Sequence, residues 1–321
     1  MDGEARPDLD VAMTTSSPAQ AGHVLHLNLN TADWDACHEF YRELFGLRFK
    51  MDSGSDDGDW RFHGIQEPVS SRGYFLYDYR GARRAPGLEV VAWYKPATAG
   101  TAYAEFNHAG ATSLRLAVPP GLEQIGEAAA RHGGAVEGVL DGGGLLLTDP
   151  DGVRVEVVAD PALTQTRIDG IRVGCADLDT ALAWYAGLGF TAEREPAEHE
   201  IVVGESVYRA RTCPAVLPDR SASVLLTQWL DPVAADSAER RLWYRGMVRM
   251  AISVEDLDAA MAALAASGWE VPAPTYFALP GTGIEGLRVL FLNDPDGFTV
   301  ELVHRPAEHF ASKRPTPGAT S

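Results

Sequence analysis

A ten-residue segment near the middle of the chain recurs near its end. Residues 148–157 read Thr-Asp-Pro-Asp-Gly-Val-Arg-Val-Glu-Val, and residues 293–302 read Asn-Asp-Pro-Asp-Gly-Phe-Thr-Val-Glu-Leu. Each copy predicts a tight turn that enters a strand. Each also places one glutamate, Glu156 or Glu301, among apolar residues, where a buried carboxylate needs a partner. The recurrence indicates that the chain is built from duplicated units, which constrains its fold more strongly than any other feature.

Four segments share one order of predicted elements, namely a strand, a helix and three further strands. In the first segment, residues 26–30 alternate like a half-buried strand, Asp33 is placed as a helix N-cap, and Gly46 ends the helix. Its later strands are predicted at Trp60–His63, Tyr74–Tyr77 and Leu88–Tyr94. The third and fourth copies repeat the cap and the terminal glycine at Asp177 and Gly189 and at Asp256 and Gly268, while the second copy, residues 113–134, lacks the cap aspartate. The chain therefore consists of four predicted βαβββ modules of an α+β protein.

The bulk composition limits the partners of such a protein. The chain has 321 residues, and its 27 Lys and Arg against 45 Asp and Glu give a formal net charge of −18. This charge argues against nucleic acid and anionic membranes as partners. The chain contains no apolar run near the ~20 residues that span a bilayer, no signal peptide, and three widely spaced cysteines that suit a reducing compartment. We expect a cytoplasmic protein with a small-molecule substrate or ligand, either a monomer or a homodimer.

The spacing of these motifs resembles the vicinal-oxygen-chelate superfamily, which includes glyoxalase I, bleomycin-resistance proteins and extradiol dioxygenases. The residues that carry the resemblance are His26, Asp33 and Phe40-Tyr41 in the first module, Asp177 and Trp184-Tyr185 in the third, and both Asp-Pro-Asp-Gly segments with their glutamates. The resemblance covers nearly the whole chain outside its ends. It is specific for the fold and not for the reaction. It implies four βαβββ modules paired into two glyoxalase-like half-barrel domains.

Pairing in chain order gives the predicted domain organisation. Modules 1 and 2 form an N-terminal glyoxalase-like domain at residues 21–162, and modules 3 and 4 form a C-terminal one at residues 163–306. Two modules that curl their sheets around a shared cavity bury the face that a single module leaves exposed. Residues 1–20 and 307–321 are rich in small and polar residues without periodicity, and they are predicted to be disordered tails.

The resemblance also implies where a metal would bind. In that superfamily the metal ligands come from the first and last strands of each paired unit and point into the cavity. Equivalent positions in this chain follow from counting back from each cap aspartate and from aligning the last strands on their closing proline. The first-strand positions are His26, Ser113, Gly170 and Arg249, and the last-strand positions are Val91, Glu156, Thr227 and Glu301.

The N-terminal cavity is the predicted metal site. His26 and Glu156 supply an imidazole and a carboxylate, which begin a site for Fe, Zn, Mn or Ni. Three protein ligands are the usual minimum, and the candidates for the third are His108, Glu89 and His23, brought within reach by a bulge. The alternative is that His26 and Glu156 only hydrogen-bond to each other across an empty cavity.

The C-terminal cavity is predicted to have lost its metal. Arg249 is expected to face Glu301, and a guanidinium binds no metal and neutralises the carboxylate that a metal needs. Arg172 is a candidate to join Arg249 in binding a carboxylate or phosphate of a ligand. Arg115 has the matching place in the first cavity, and its alternative role is that of a solvated strand end.

Aromatic residues alternate along the strands that carry these positions. Trp93 and Trp229 share a strand face with the last-strand positions, while Tyr77 and Tyr208 lie on neighbouring strands. Aromatic walls suit a planar organic ligand. Core packing explains any single one of these residues equally well.

Three functions are compatible with this pattern. In the first, a divalent metal held by the catalytic pair His26 and Glu156 polarises vicinal oxygens of an organic substrate, in a lyase, isomerase or dioxygenase-like enzyme. In the second, the cavities sequester an aromatic metabolite or antibiotic without metal or chemistry, as bleomycin-resistance proteins do. In the third, a metal-free enzyme uses His26, Glu156 and Arg115 for acid–base chemistry. A third donor within reach of both His26 and Glu156 would distinguish these functions.

Overall fold

The computed structural model describes residues 19–58, 60, 65–102, 105–140, 142–235, 241–278 and 286–305. These residues form an α+β fold with four α-helices and two curled sheets, so the predicted fold class is confirmed. Among them, no helix is long and apolar enough to cross a membrane.

The elements follow the predicted order in modules 1, 2 and 4, and module 3 adds a two-residue strand, β10, after its helix. Module 1 contains β1 (His23–Asn30), α1 (Trp34–Glu39, continued by a π-helical turn at Phe40–Leu44), β2 (Arg48–Gly58), β3 (Val69–Tyr77) and β4 (Gly87–Lys95). Module 2 contains β5 (Gly110–Val118), α2 (Leu122–Ala129), β6 (Ala135–Val139), β7 (Leu145–Thr148) and β8 (Arg154–Ala159). Module 3 contains β9 (Arg167–Cys175), α3 (Leu178–Leu188), β10 (Thr191–Ala192), β11 (Ala197–Val203), β12 (Ser206–Val216) and β13 (Ser223–Asp231). Module 4 contains β14 (Gly246–Val254), α4 (Leu257–Ala266), β15 (Thr275–Ala278), β16 (Gly286–Asn293) and β17 (Thr299–His304).

The helix boundaries follow from local capping. The carboxylates of Asp33, Asp177 and Asp256 each accept a hydrogen bond from the backbone N–H three residues later, as predicted. Gly189 ends α3 in the left-handed region at φ 109°, where glycine is favoured. The second module lacks a cap aspartate in sequence, and the N-cap residue of α2 is Gly121, which has no side chain to accept a hydrogen bond.

Two local predictions need correction. The strand expected at residues 60–63 is shifted toward the N-terminus, because β2 ends at Gly58 and Trp60 lies beyond it in non-strand conformation. The rest of that predicted strand lies outside the described residues. Ala19, predicted to lie in the N-terminal tail, is buried, and its backbone N–H donates to the Gly187 carbonyl at 3.2 Å. The remainder of both predicted tails lies almost entirely outside the described residues.

The pairing of modules within the sheets differs from the predicted one. The first sheet has the strand order β15-β16-β17-β14-β1-β4-β3-β2, and the second has the order β10-β12-β13-β9-β5-β8-β7-β6, with β11 paired to β12. Module 1 therefore shares a sheet with module 4, and module 2 shares one with module 3. The first strands make both joins, since β1 pairs antiparallel with β14 and β5 with β9. We call the two concave spaces the 1–4 cavity and the 2–3 cavity.

Strand alternation separates the core from these cavities. On β4, Leu88 and Val90 belong to a large apolar core that also contains the buried faces of the helices, whereas Glu89, Val91 and Trp93 lie on the opposite face of the strand. The core draws residues from both sheets. Both sheets therefore use one face for shared packing and turn the other toward a cavity.

Modules 1 and 2, which are neighbours in sequence but lie in different sheets, are joined by hydrogen bonds at the Asp-Pro-Asp-Gly turn. Asp149, in the turn of module 2, accepts a hydrogen bond from the Tyr41 hydroxyl of module 1. Asp151 of the same turn accepts from the Thr31 hydroxyl and from the backbone N–H of Ala32. The chain passes from β8 to β9 between residues 160 and 166, and the predicted domain boundaries at 21–162 and 163–306 remain a prediction.

Candidate functional site

Four ionisable side chains meet at the floor of the 1–4 cavity. His26 comes from β1, Glu89 from β4, Arg249 from β14 and Glu301 from β17. The Nε2 atom of His26 lies 3.4 Å from Glu89 Oε2 and 3.7 Å from Glu301 Oε2. The Arg249 guanidinium contacts both carboxylates, with Nη2 3.1 Å from Glu89 Oε2 and Nε paired with Glu301 Oε1. Two carboxylates, an imidazole and a guanidinium thus form one compact cluster.

The cluster is largely removed from water. The side chain of His26 is 15% exposed, whereas those of Glu89, Glu301 and Arg249 are 10%, 8% and 7% exposed. Carboxylates at this depth stay ionised only when cations or hydrogen-bond donors surround them. The more exposed imidazole is the member of the cluster that a molecule in the cavity reaches first.

Glu89 is held as an anion by four neighbours. Asn28 Nδ2 donates to its Oε2 at 3.1 Å, and Ser53 Oγ donates to its Oε1 at 3.2 Å, in addition to Arg249 and His26. Burial by itself raises the pKa of Glu89, but the charges of His26 and Arg249, with the hydrogen bonds from Ser53 and Asn28, hold that pKa below its ordinary value. Glu89 therefore acts as a fixed negative charge. The contacts of Glu301 within the cluster are those with Arg249 and His26.

Aromatic rings form the walls around this cluster. The ring of Phe75 lies edge-on to His26 with centroids 5.5 Å apart, and it stacks with Tyr77 at 6.3 Å. Trp60 packs 5.5 Å from Trp93 and 5.4 Å from Phe277, so it joins aromatic residues of modules 1 and 4. Burial raises the pKa of the Tyr77 hydroxyl to about 12, which keeps that hydroxyl protonated.

Two guanidinium groups surround the carboxylate of Glu156 in the 2–3 cavity. Glu156 receives a bidentate pair from Arg172, with Nε 2.5 Å from Oε1 and Nη2 2.8 Å from Oε2. Ser113 Oγ also donates to Glu156, and Arg172 Nη1 donates to Thr227 Oγ1 at 3.0 Å. Burial raises the pKa of Glu156, but Arg172 beside it, with Arg115 and Ser113, holds that pKa below its ordinary value. The negative charge of Glu156 is thus balanced by the guanidinium of Arg172.

Apolar side chains line the 2–3 cavity. Phe106, Ile201, Val203 and Trp229 belong to one buried cluster, and the Arg172 guanidinium lies 5.7 Å from the centre of the Phe106 ring. The outer strands of this sheet also meet, because a Cβ added to Gly138 of β6 would lie 2.5 Å from the backbone nitrogen of the residue that follows β11. Apolar side chains and one close backbone contact therefore accompany the Glu156 ion pair in this half.

The structure does not bring the predicted metal pair together. His26 and Glu156 lie in different sheets, because β1 pairs with β14 and β4 rather than with module 2. The carboxylates beside His26 come from Glu89, one of the three candidate third ligands, and from module 4. The other two candidates do not join the cluster. His108 Nδ1 lies 2.7 Å from the carbonyl oxygen of the next residue, and His23 pairs with a carboxylate of module 3.

The three predicted arginines each contact a buried glutamate. Arg249 faces Glu301, as predicted. Arg172 lies in the other sheet, so it does not join Arg249 in binding one ligand. Its guanidinium forms an ion pair with Glu156 instead. Arg115 lies 3.7 Å from Glu156 and donates to a serine hydroxyl of module 3, which makes it a partner inside the 2–3 cavity rather than a solvated strand end.

Of the predicted aromatic residues, Trp93 and Tyr77 belong to the 1–4 cavity and Trp229 to the 2–3 cavity. Sequence reasoning missed Asn28 and Ser53 as partners of Glu89. It also placed the last-strand position two residues too late, at Val91. The signal was present, since Glu89 is a lone carboxylate within an apolar strand, the same feature that singled out Glu156.

The donor set of the 1–4 cavity does not fit a divalent metal in this arrangement. His26, Glu89 and Glu301 offer suitable donor atoms, but the Arg249 guanidinium contacts both carboxylates and has no atom that can bind a metal. Throughout the part of the chain that the structure describes, no group of three or more His, Cys, Asp and Glu side chains has a geometry that holds a metal ion.

Comparison with known proteins agrees with this architecture. Residues 167–302 match the model of the Glyoxalase/Bleomycin resistance protein/Dioxygenase superfamily. The resemblance to vicinal-oxygen-chelate proteins predicted from the sequence is thereby confirmed. No curated protein matches the chain in sequence.

Solved structures show a similar fold over most of the chain, including residues outside the matched segment. Glyoxalase I from Zea mays is similar with a TM-score of 0.61 and 18% identity, over 88% of this chain and 92% of that one. A putative dioxygenase from Bacillus subtilis is similar with a TM-score of 0.58 and 12% identity, over 88% of this chain and 85% of that one. At such identities the similarity establishes the fold and leaves the reaction open.

Proposed function

We propose that this protein binds a planar aromatic small molecule in its 1–4 cavity without a divalent metal. The observation that carries the proposal is the position of Arg249 between Glu89 and Glu301, beside His26. In the superfamily, ligands of a metal come from these first and last strands. Here a permanent cation contacts both carboxylates, which argues against the metal mechanism expected for His26 and Glu156.

The composition of the two clusters favours the 1–4 cavity as the binding site. Its cluster contains an imidazole, His26, whose side chain is 15% exposed, whereas the neighbours of Glu156 are two guanidinium groups and a hydroxyl. Both cavities hold polar atoms that make no hydrogen bond among the described residues, and in the 1–4 cluster these include Asn28 Oδ1 and Arg249 Nη1. Buried polar atoms are usually paired. A ligand with polar substituents on an aromatic ring would supply partners once it displaces the neighbouring side chains.

The aromatic walls support the class of ligand. Phe75, Tyr77, Trp93, Trp60 and Phe277 surround the ionisable cluster with flat, apolar surfaces. Aromatic rings pack against such surfaces in offset or edge-on geometry, and pockets of this composition bind mostly apolar molecules with a few oriented polar groups. A planar ring system would pack against the aromatic walls, and one or two oxygen substituents on it would contact the ionisable cluster.

A second candidate function is proton transfer on the bound molecule. The imidazole of His26 lies within 3.7 Å of two carboxylates and is the most exposed member of the cluster. A histidine in this position can take up a proton from a carbon or oxygen acid while Arg249 stabilises the negative charge that develops. This candidate uses the same cavity and also needs no metal.

Binding is tested with protein treated with EDTA and titrated calorimetrically with 2-naphthol and 2-naphthoate. We expect one probe molecule per chain and weaker binding by Trp93→Phe, which alters the wall of the 1–4 cavity. Trp229→Phe is the matched control, because it makes the same change in the 2–3 cavity. The proposal fails if neither probe binds, if binding requires added Zn²⁺ or Ni²⁺, or if only Trp229→Phe weakens it.

Proton transfer has a separate readout. A ligand with an acidic carbon-bound hydrogen, incubated with the protein in D₂O, is followed by NMR for exchange of that hydrogen. We expect His26→Gln to abolish the exchange while calorimetry still detects binding. Exchange that persists in His26→Gln rules out this residue as the base, and an absence of exchange in the wild type counts against the second candidate function.

A further inference from the structure

We infer that Arg249 takes the place of a divalent cation in the 1–4 cavity, so that this single side chain decides whether the cluster binds a metal. The inference rests on the proposed metal-independent function and names the residue that enforces it. Replacing the guanidinium by a neutral group would turn the remaining side chains into a metal site.

The remaining side chains already point at one region. The imidazole Nε2 of His26 has one carboxylate oxygen of Glu89 at 3.4 Å and one of Glu301 at 3.7 Å. One imidazole and two carboxylates are suitable ligands for Zn²⁺, Ni²⁺ and Mn²⁺. The side chain that contacts both carboxylates is Arg249, through Nη2 and Nε.

The charges explain why a cation must be present. Glu89 and Glu301 are each at most 10% exposed, and a nearby positive charge offsets the repulsion between two ionised carboxylates at that depth. Arg249 supplies that charge permanently, because a guanidinium does not lose its proton in proteins and offers no lone pair to a metal. A guanidinium and a divalent metal are therefore mutually exclusive occupants.

The 2–3 cavity provides a natural comparison. Arg172 holds Glu156 as Arg249 holds its two glutamates, but the further partners of this pair include hydroxyls, with Thr227 accepting from Arg172 and Ser113 donating to Glu156. A neutral side chain in place of Arg172 leaves one carboxylate and no imidazole. Such a set is too weak for a stable metal site. Arg172→Gln is thus a matched control for Arg249→Gln.

The experiment uses the full chain without a polyhistidine tag. Wild type, Arg249→Gln, Arg249→His, Arg249→Lys and Arg172→Gln are each dialysed with Zn²⁺, Ni²⁺ or Co²⁺ and then against metal-free buffer. Bound metal is measured by inductively coupled plasma mass spectrometry, and Co²⁺ geometry by visible absorption. We expect about one metal per chain in Arg249→Gln and Arg249→His, as for a closed protein site. The wild type, Arg249→Lys and Arg172→Gln are expected to retain none.

A second substitution locates the metal. Glu301→Gln added to Arg249→Gln removes one carboxylate ligand, and we expect metal affinity to fall on the order of 10- to 100-fold or more, as when a metal site loses a supporting group. If Arg249→Gln does not fold alone, it is refolded with Zn²⁺. Rescue of the native near-ultraviolet circular dichroism spectrum supports the inference, and a failure to refold with Zn²⁺ overturns it.

Two other results overturn the inference. One is a wild-type protein that retains one equivalent of metal which His26→Gln removes. The other is folded Arg249→Gln and Arg249→His that retain none. Neither result is confused with failure of the proposed function, because binding of 2-naphthol and 2-naphthoate to the wild type is measured separately by calorimetry.

Discussion

The hydroxyl of Tyr41 donates to a buried carboxylate oxygen of Asp149 at 3.1 Å. This bond joins the helical segment of module 1 to the Asp-Pro-Asp-Gly turn of module 2, and Tyr185 and Asp294 repeat it between modules 3 and 4 at 3.2 Å. Asp149 also accepts two backbone N–H groups of its own turn, at 2.9 and 2.8 Å. The recurring segment therefore forms hydrogen bonds to the neighbouring module, in addition to placing a glutamate on the strand that follows.

The buried aspartate predicts a pH dependence of stability. Burial, the largest cause, raises the pKa of Asp149 to about 7, whereas an unfolded aspartate titrates near ~3.9. Between the unfolded pKa and the folded pKa, Asp149 is protonated in the folded state and ionised in the unfolded state. Its contribution to stability is therefore fully present below the unfolded pKa and is lost as pH rises through the folded pKa. We expect Asp149→Asn to remove this loss, of up to about 1.4 kcal/mol per pH unit.

The measurement is urea unfolding of wild type and Asp149→Asn at pH 5, 6, 7 and 8. The wild type is expected to lose stability relative to the variant as pH rises. Asp294→Asn is a useful companion, because burial raises the pKa of Asp294 to about 6, so its effect ends at a lower pH. A difference between wild type and Asp149→Asn that stays constant with pH contradicts the prediction.

The ion pair of the 2–3 cavity predicts a strong penalty for removing one partner. Glu156→Gln leaves the buried guanidinium of Arg172 without its counter-charge, and we expect the free energy of unfolding to fall by about 3–5 kcal/mol. Glu156→Leu combined with Arg172→Met removes both charges and is expected to cost much less. Urea unfolding of the single and double variants checks this, and equal losses would show that the pair does not act as a unit.

A glycine on β9 predicts a steric limit. Gly170 has φ +137°, and a Cβ added there would lie 1.8 Å from the carbonyl oxygen of Ser223 on the neighbouring strand. We expect Gly170→Ala to lower the free energy of unfolding by more than about 2 kcal/mol, through backbone strain and displacement of β13. Gly22→Ala, with nothing within 4 Å of its Cβ, is the control. Thermal denaturation that shifts equally in both variants would refute this.

The helix caps predict a smaller effect. The carboxylate of Asp256 accepts from the Ala259 backbone N–H at 3.0 Å at the start of α4. Asp256→Ala is expected to lower the free energy of unfolding by about 1 kcal/mol. Asp258→Ala, two residues later, breaks an exposed ion pair with Arg288 and serves as a control with a smaller expected change. A larger loss in Asp258→Ala, measured by urea unfolding, would count against the capping role.

The elements were predictable wherever a local pattern specifies them. The caps at Asp33, Asp177 and Asp256 depend on hydrogen bonds that span three residues, and these appear in the structure as the sequence indicated. The ion pair of Arg249 with Glu301 was also predictable, since both residues belong to module 4 and β14 pairs directly with β17. Contacts within a module follow from the order of its strands.

Contacts between modules were not predictable in the same way. Every module offers its first strand as an edge, so the sequence does not distinguish a β1–β5 join from the observed β1–β14 join. The pairing of His26 with Glu156 failed for this reason. The last-strand position of module 1 was predicted at Val91, two residues after Glu89, because β4 runs further before its closing proline than β8 does. The local pattern does not fix the number of strand residues before such a proline.

The sequence alone determined the four modules, their α+β class, the capped helices and the lone glutamates on otherwise apolar strands, because each depends on neighbours a few residues apart. The tertiary structure decided which modules share a sheet, and hence which charges meet. Glu156 lies against Arg172, while His26 lies with Glu89, Arg249 and Glu301. These partners are set by backbone hydrogen bonding between strands far apart in the chain, which a repeated sequence leaves equally open to several pairings.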